Sequence, residues 1–276
     1  MLIIRKKKIL RNLLGKNRIK NKIAFIPTMG SIHKGHLSLL KKSKKKKCIS
    51  CVSIFINPAQ FNNKKDFELY PKNEKKDLEL LKKNGCDIVF LPDAKEIYPN
   101  GIKIKRRVKK YRNILCDKFR PNHFDGVVEV IRRLFKLVEP NIVFLGEKDY
   151  QQLKIIEELI RIEKKPIRII PCQSVRYKNR MSLSSRYKLF NKKQKNIFKE
   201  ISEIIFKVVK KIKNGNDIEK SIFSLTKELK KKGITKIEYI EVRKNYSLKL
   251  SKTFINSRLF IALHLGNVRI IDNFKL

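Results

Sequence analysis

Short, predominantly apolar runs alternate with amphipathic stretches along roughly the first 170 residues of this 276-residue chain. A run that is apolar throughout predicts a strand buried on both faces, and helices between such strands predict a parallel sheet. We expect strands at residues 23–26, 48–56, 87–91, 142–145 and 167–170. The expected fold class is therefore α/β, a Rossmann-like parallel sheet with helices on both faces.

Apolar residues at helical spacing fill the intervals between these strands. We expect helices at residues 36–46, 126–138 and 150–164, and one that Asn73 caps and that ends near Gly85. Beyond residue 175 the pattern changes to helices at 191–212 and 217–232, followed by strands at 237–242, 259–263 and 268–271. That order is typical of a small α+β domain, so we expect two domains, residues 1–174 and 175–276.

The chain is strongly basic, with 68 Lys and Arg residues against 25 Asp and Glu residues and a net charge of +43. Such a charge is typical of proteins that bind nucleic acid or a membrane surface. A general compositional bias towards lysine explains it equally directly. We favour the bias, because lysines occur in every segment and Trp, a residue on which bases stack, is absent. We therefore expect no nucleic-acid partner.

Five cysteines, an odd number, lie in or beside apolar runs, which is typical of reduced thiols in a cytoplasmic protein. Cys48 and Cys51 have C-x-x-C spacing, but residues three apart in a strand face opposite sides, so a redox pair is not expected. No run approaches the roughly 20 apolar residues of a membrane span. The basic N-terminus lacks the apolar core of a signal peptide. We expect a cytoplasmic protein without a membrane partner.

A strand-to-helix turn at residues 27–36 carries two histidines, His33 and His36, and two glycines, Gly30 and Gly35. Glycine lets the backbone approach a ligand closely, and a helix N-terminus offers N–H groups to an anion. Imidazoles at this position can donate hydrogen bonds to phosphate. Because the chain has only two other histidines, a tetrahedral zinc site is less well supported. The turn predicts a site for a nucleoside triphosphate.

Polar residues follow three of the expected strands, and the carboxyl ends of parallel strands meet at one edge of the sheet. The first loop carries Asn57 and Gln60, whose amides suit hydroxyl and carboxylate groups. The second carries Lys148, and the serine-rich third ends on Arg186, whose guanidinium can bind phosphate bidentately. Each loop alone is equally compatible with an ordinary turn or helix cap.

Together these segments resemble the pantoate–β-alanine ligase family, which belongs with the nucleotidylyl transferases that carry an H-I-G-H turn. The matching segments span residues 19–273 and are residues 27–36, 55–61, 70–71, 123–127, 146–152 and 183–186. The resemblance implies condensation of (R)-pantoate with β-alanine to pantothenate through a pantoyl adenylate, with ATP and Mg²⁺ required and AMP and diphosphate released. It also implies a homodimer whose C-terminal domains act as lids over ATP- and pantoate-binding domains.

The resemblance also implies roles for individual residues. His36, His33 and Lys148 are the expected catalytic residues. Gln60 is expected to bind pantoate and β-alanine, Gln152 pantoate, Asn57 a substrate, and Asp77 to lie near the magnesium. The expected ATP contacts lie in three loops and are Met29, Gly30, Ser31, Ile32, His33, Lys34, Gly35, His36, Gly146, Glu147, Lys148, Asp149, Val175, Leu183, Ser184, Ser185 and Arg186. Arg180 stands where the family usually has glycine, which adds a cation beside the serine-rich loop.

Two other functions remain open at this point. A basic nucleic-acid-binding module would retain RNA at physiological salt. A nucleotidyl transferase that makes a dinucleotide would accept a mononucleotide and have no use for β-alanine.

Overall fold

The computed structural model describes residues 1–18, 21–62 and 64–276, and the chain forms two compact units. The first unit comprises residues 1–112, 120–147 and 152–173, and the second comprises residues 113–119, 148–151 and 174–276. The long C-terminal segment of the second unit thus starts next to the expected domain boundary. Two short segments assigned by sequence to the first domain, including Lys148 and Asp149, instead belong to the second unit, because they pack with its strands rather than with the parallel sheet.

The first unit is built on a six-stranded sheet whose strand pairs are all parallel, in the order β1-β4-β3-β2-β5-β6. The strands are β1 (Leu2–Ile4), β2 (Ile23–Thr28), β3 (Ile49–Ile54), β4 (Ile88–Phe90), β5 (Ile142–Gly146) and β6 (Arg168–Cys172). The predicted parallel α/β sheet is confirmed. Strand β1 was not expected from the pattern, because it is three residues long and its first two side chains are exposed.

The helices that connect these strands follow the expected order. They are α1 (Lys7–Arg18), α2 (Lys34–Lys44), α3 (Lys64–Glu68), α4 (Glu74–Lys83), α5 (Ala94–Ile97), α7 (His123–Val138) and α8 (Tyr150–Ile162), with α6 (Leu115–Phe119) in the second unit. Asn73 caps α4 as predicted, since its side chain accepts a hydrogen bond from Lys76 N at 3.0 Å. Helices α1, α3, α5 and α6 were not predicted, and α7 begins three residues before its expected start.

Apolar side chains from both faces of the parallel sheet form the core of the first unit. Phe25 of β2 is fully buried and meets the buried Phe135 of α7 edge to face, with ring centroids 6.4 Å apart. Burying an aromatic ring of this size contributes about 1.5–3 kcal/mol to stability. The core thus fixes α7 against β2, beside the end of the strand where the turn at residues 29–36 begins.

The second unit contains a three-stranded antiparallel sheet in the order β7-β8-β9, formed by β7 (Lys236–Lys244), β8 (Ser257–Leu265) and β9 (Val268–Lys275). Two long helices accompany it, α9 (Lys192–Lys213) and α10 (Ile218–Lys231). Asn191 and Gln194 form a capping box at the start of α9, and Asp217 caps α10. The predicted α+β character of this region is confirmed.

All five cysteines are free and buried, so Cys48 and Cys51 form no disulfide. Burial raises the pKa of the Cys86 thiol to about 11, which keeps it protonated and unreactive near neutral pH. Among the described residues, no helix combines the length and apolar character that crossing a membrane requires.

A buried carboxylate, Glu238 on β7, is held by two basic side chains of the same unit. It accepts hydrogen bonds from Arg269 Nη2 at 2.6 Å and from His264 Nε2 at 2.8 Å. Burial by itself would raise the pKa of Glu238, but these two partners outweigh burial and hold the pKa below its ordinary value of 4.5. A carboxyl group whose pKa is lowered in the folded state stabilises the protein at pH values above its ordinary pKa. That stabilisation is lost as the pH falls through the folded-state pKa.

We therefore predict that Glu238→Gln flattens the dependence of stability on pH between about pH 5 and pH 3. The variant is expected to be less stable than wild type at neutral pH, and this difference shrinks on acidification. Thermal unfolding followed by circular dichroism across that pH range is the measurement. The exposed Glu219→Gln on α10 is the matched control and keeps the wild-type slope; parallel slopes for Glu238→Gln and wild type would contradict the prediction.

Candidate active site

Three adjacent strands of the first unit, β3, β2 and β5, end at the same edge of the sheet. The segments that follow them are the turn at residues 29–36, the loop containing the 3-10 helix Pro58–Gln60, and Gly146 with Glu147. The first two are in direct contact, because Gln60 Nε2 donates a hydrogen bond to the sulfur of Met29. The structure thus brings the predicted phosphate turn and the predicted substrate loop together.

The turn owes its shape to two successive residues with left-handed backbone, Gly30 with a φ of 79° and Ser31 with a φ of 51°. The backbone N–H groups of Ser31 and Ile32 both donate to the carboxylate of Asp77 on α4, with an N···O distance of 2.7 Å in each case. Such paired N–H groups form an anion-binding concavity, and here a side chain of the same unit occupies it. A Cβ at Gly30 would lie 3.0 Å from Asp77 Oδ2, so glycine allows this close approach.

The structure gives Asp77, which the resemblance places near the magnesium, a role within the chain. The residue is 3% exposed, and both of its carboxylate oxygens accept hydrogen bonds from the turn. Among residues 1–18, 21–62 and 64–276, no group of three His, Cys, Asp or Glu side chains is placed to hold a metal ion. Asp77 instead anchors the turn that carries both histidines, and α4 provides that anchor.

The two histidines of the turn form a stacked pair, with ring centroids 4.1 Å apart and ring planes inclined by 23°. His33 also caps α2, because its Nδ1 accepts a hydrogen bond from Gly35 N at 3.1 Å. A nitrogen that accepts a hydrogen bond carries no proton, so the proton of the neutral ring lies on Nε2 of His33. The cap therefore makes His33 Nε2 a hydrogen-bond donor at the end of the sheet.

Four backbone N–H groups that the sequence suggested for phosphate are hydrogen-bonded within the chain. Gly30 N donates to Thr28 Oγ1 at 3.1 Å, Ser31 N and Ile32 N donate to Asp77, and Gly35 N donates to His33. These four N–H groups therefore bind acceptors of the chain itself, whereas the sequence analysis expected them to bind phosphate. The imidazoles of His33 and His36, which the same turn carries, are half-buried.

Asn57, expected to contact substrate, is 1% exposed and has all of its hydrogen-bonding capacity engaged. Its Oδ1 accepts from Ala59 N at 3.2 Å and from the Tyr98 hydroxyl at 2.7 Å, while its Nδ2 donates to Gln60 Oε1 at 3.3 Å and to Gly126 O. An amide has two donors and two acceptor positions, and these four bonds use them. Asn57 therefore orients Gln60 instead of presenting its own amide to a ligand.

Tyr98 is a site residue that the sequence analysis missed. Burial raises the pKa of its hydroxyl, so the hydroxyl stays protonated and donates to Asn57. The residue lies just beyond α5, 41 positions from Asn57 in the chain. No local pattern links two residues so far apart, so only the folded chain identifies this contact. Gln152, the other expected pantoate contact, is half-buried on α8 within the first unit.

The remaining expected ATP contacts belong to the second unit. Leu183 N donates to Val175 O at 2.9 Å, so these two expected contacts are paired across a turn. Ser184 caps the 3-10 helix Ser185–Leu189 by accepting from Arg186 N at 3.3 Å, and Ser184 and Arg186 line a single cavity. Elsewhere in this unit Lys148 Nζ lies 3.4 Å from Asp149 Oδ1.

Arg180 has the left-handed backbone that favours glycine, with a φ of 70°. Its guanidinium lies 3.9 Å from the ring centroid of Phe206, a cation–π contact. The neighbouring Ser182 is fixed by Asp272, which accepts from both its backbone N and its hydroxyl. The extra cation that the sequence placed beside the serine-rich loop is therefore directed onto an aromatic ring of α9.

Comparisons with known proteins agree over the whole chain. The family model described as pantoate-β-alanine ligase matches residues 2–275. The pantothenate synthetase of Aquifex aeolicus is 36% identical over 278 residues, covering 100% of this chain and 99% of that protein. Pantothenate synthetase from Thermus thermophilus superposes with a TM-score of 0.93 at 27% identity, covering 100% and 99% of the two chains. Pantoate-β-alanine ligase from Francisella tularensis, solved in complex with β-γ ATP and β-alanine, superposes with a TM-score of 0.85 at 35% identity, covering 100% and 97%.

We predict that Asp77→Ala lowers the free energy of unfolding by about 3 kcal/mol, because two buried N–H groups lose a charged acceptor. Asp77→Asn keeps one acceptor oxygen and is expected to lose about half as much. Urea unfolding measures both values. The exposed Glu79→Ala, on the same helix, is the control and changes stability little; equal stabilities for Asp77→Ala and Glu79→Ala would contradict the anchoring role.

Proposed function

Because the chain belongs to the pantoate-β-alanine ligase family, we propose that it joins (R)-pantoate to β-alanine at the expense of ATP and so makes pantothenate. The observation that carries the proposal is the stacked His33–His36 pair on a turn that Gln60 contacts through Met29, at the edge of the parallel sheet. A relative 35% identical to this chain was solved with β-γ ATP and β-alanine bound, which supports the same substrate classes here.

The reaction proceeds in two steps. A carboxylate oxygen of pantoate attacks the α-phosphorus of ATP, the bond from that phosphorus to the bridging oxygen breaks, and diphosphate leaves. The amine of β-alanine then attacks the activated carbonyl carbon of the pantoyl adenylate. AMP departs with the former carboxylate oxygen, and the amine loses a proton as the amide forms.

Negative charge builds on the phosphate oxygens during the first step, so preplaced donors lower its barrier. His33 supplies Nε2–H, whose position the cap on α2 fixes, and His36 stacks against it. We assign Lys148 and Arg186 of the second unit as further cationic partners of the phosphates. This assignment and a lid role for the second unit rest on the family resemblance.

The proposed reaction also requires groups that bind pantoate and a source of Mg²⁺. Gln60 and Gln152 supply side-chain amides that can hydrogen-bond the hydroxyl and carboxylate groups of pantoate. Because Asp77 is engaged by the turn, we propose that Mg²⁺ arrives on the triphosphate as part of the nucleotide substrate, as is usual for this ion. The net charge of +43 favours the capture of such anionic substrates.

Assembly and location complete the proposal. We propose a homodimer in the cytoplasm, on the strength of the family resemblance and of five buried, free cysteines that suit a reducing compartment. Light scattering of the purified protein gives the mass in solution, and a mass of one chain would contradict the dimer.

The two-step scheme predicts that diphosphate exchanges into ATP when pantoate is present without β-alanine, and that AMP accumulates on turnover only when both are present. Isotope exchange and a coupled AMP assay are the measurements. Exchange that is independent of pantoate would contradict the adenylate. Acceptance of a mononucleotide in place of β-alanine would favour a nucleotidyl transferase, and RNA binding that survives physiological salt would favour a nucleic-acid-binding protein.

Removing one imidazole tests the electrostatic role of the turn. His36→Ala is expected to lower kcat about 100-fold, the usual effect of losing one donor to a developing charge. His36→Gln, which keeps an N–H donor, recovers part of the rate. Lys41→Ala, at an exposed position on the same helix α2, is the control with a wild-type rate. Turnover of His36→Ala within about threefold of wild type would contradict this role.

A further inference from the structure

Helix α7 approaches the loop that carries Gln60 at a distance that only glycine permits. A Cβ built on Gly126 would lie 2.1 Å from Ala59 O and 2.9 Å from Gln60 N. Both are backbone atoms of the loop, so neither can move aside as a flexible side chain would. Any larger residue at this position must push the loop and Gln60 away from the helix.

His123, at the start of the same helix, holds the backbone of Gln60 directly. Its Nδ1 lies 2.7 Å from Gln60 O, and its Nε2 lies 2.9 Å from Arg120 Nη1. An arginine only donates, so Nε2 accepts and the ring proton lies on Nδ1, where it is donated to the Gln60 carbonyl. The pair Arg120–His123 therefore fixes both the ring tautomer and the carbonyl it contacts.

The same helix also reaches the side chain of Gln60. The carbonyl of Gly126 accepts a hydrogen bond from Asn57 Nδ2, and that same Nδ2 donates to Gln60 Oε1. Gln60 is thus held at its carbonyl by His123 and at its side-chain oxygen by Asn57, which itself rests on Gly126. Its Nε2 points to Met29 of the phosphate turn.

We propose that His123 and Gly126 are positioning residues that set the location of the Gln60 amide and thereby determine the affinity for the acid substrate. The proposal rests on the pantoate-binding role given to Gln60 above. Neither residue needs to touch a ligand, because each acts through the loop. A displacement of about 1 Å at a binding group is enough to cost orders of magnitude in rate.

Gly126→Ala is the first test, with Gly15→Ala as its matched control. Gly15 lies on α1, and a methyl group placed there would meet no atom within 4 Å, so the control is expected to keep wild-type kinetics. Gly126→Ala is expected to raise the KM for pantoate about tenfold or more while the KM for ATP changes less than about twofold. Equal changes in both constants, or none, would overturn the proposal.

His123 is tested with two substitutions and a double-mutant cycle. His123→Leu removes the closer of two donors to Gln60 O and leaves the contact from Arg120 Nη2 at 3.4 Å. His123→Asn keeps an N–H close to the position of Nδ1 and is expected to restore most of the pantoate affinity. In a Gln60→Ala background, His123→Leu should have no further effect on the KM for pantoate, because its effect passes through Gln60. Fully multiplicative effects of the two substitutions would overturn the proposal.

Folding and function are separated by two further measurements. Thermal unfolding of every variant shows whether it folds. If Gly126→Ala does not fold, the His123 variants and the double-mutant cycle with Gln60→Ala still test the proposal. A wild-type protein that makes no AMP from ATP, pantoate and β-alanine would contradict the proposed function and this inference together. An active wild type with unaffected Gly126→Ala and His123→Leu variants would overturn the positioning role alone.

Discussion

The edge of the parallel sheet that carries the candidate active site depends on one buried carboxylate. Asp77 binds the N–H groups of Ser31 and Ile32 and so holds the turn between β2 and α2 in its left-handed conformation. The backbone N–H groups that an open turn would offer to a phosphate are thereby used inside the chain. His33 is fixed in the same turn because it caps the helix that follows.

The loop that carries Asn57 and Gln60 is stabilised in the same way, because buried polar side chains hold Gln60 in place. Asn57 donates one of its hydrogen bonds to Gln60, and Tyr98 and Gly126 hold Asn57 itself in place. An amide with several rotatable bonds would lose conformational entropy on binding a ligand, and its partners in the folded chain remove that cost beforehand.

Acidic residues are scarce in this chain, and several of them are buried anchors. Glu129 on α7 accepts hydrogen bonds from three arginines, Glu238 is held by Arg269 and His264, and Asp272 fixes Ser182. A buried carboxylate is stable only when it is paired and hydrogen-bonded, and a surplus of cations makes such partners easy to find. The basic excess is left on the surface, where it is solvated and screened by salt.

The sequence by itself determined the two architectures and the order of their elements, because periodicity and caps are local properties of consecutive residues. It also identified the His33–His36 turn and the Gln60 loop, since these follow directly from strand ends. Only the tertiary structure decided that Asp77 anchors the turn and that Asn57 supports Gln60. Those roles depend on partners about 40 or more positions away in the chain. The packing of the core brings such partners together in space, and the spacing of residues along the chain does not reveal it.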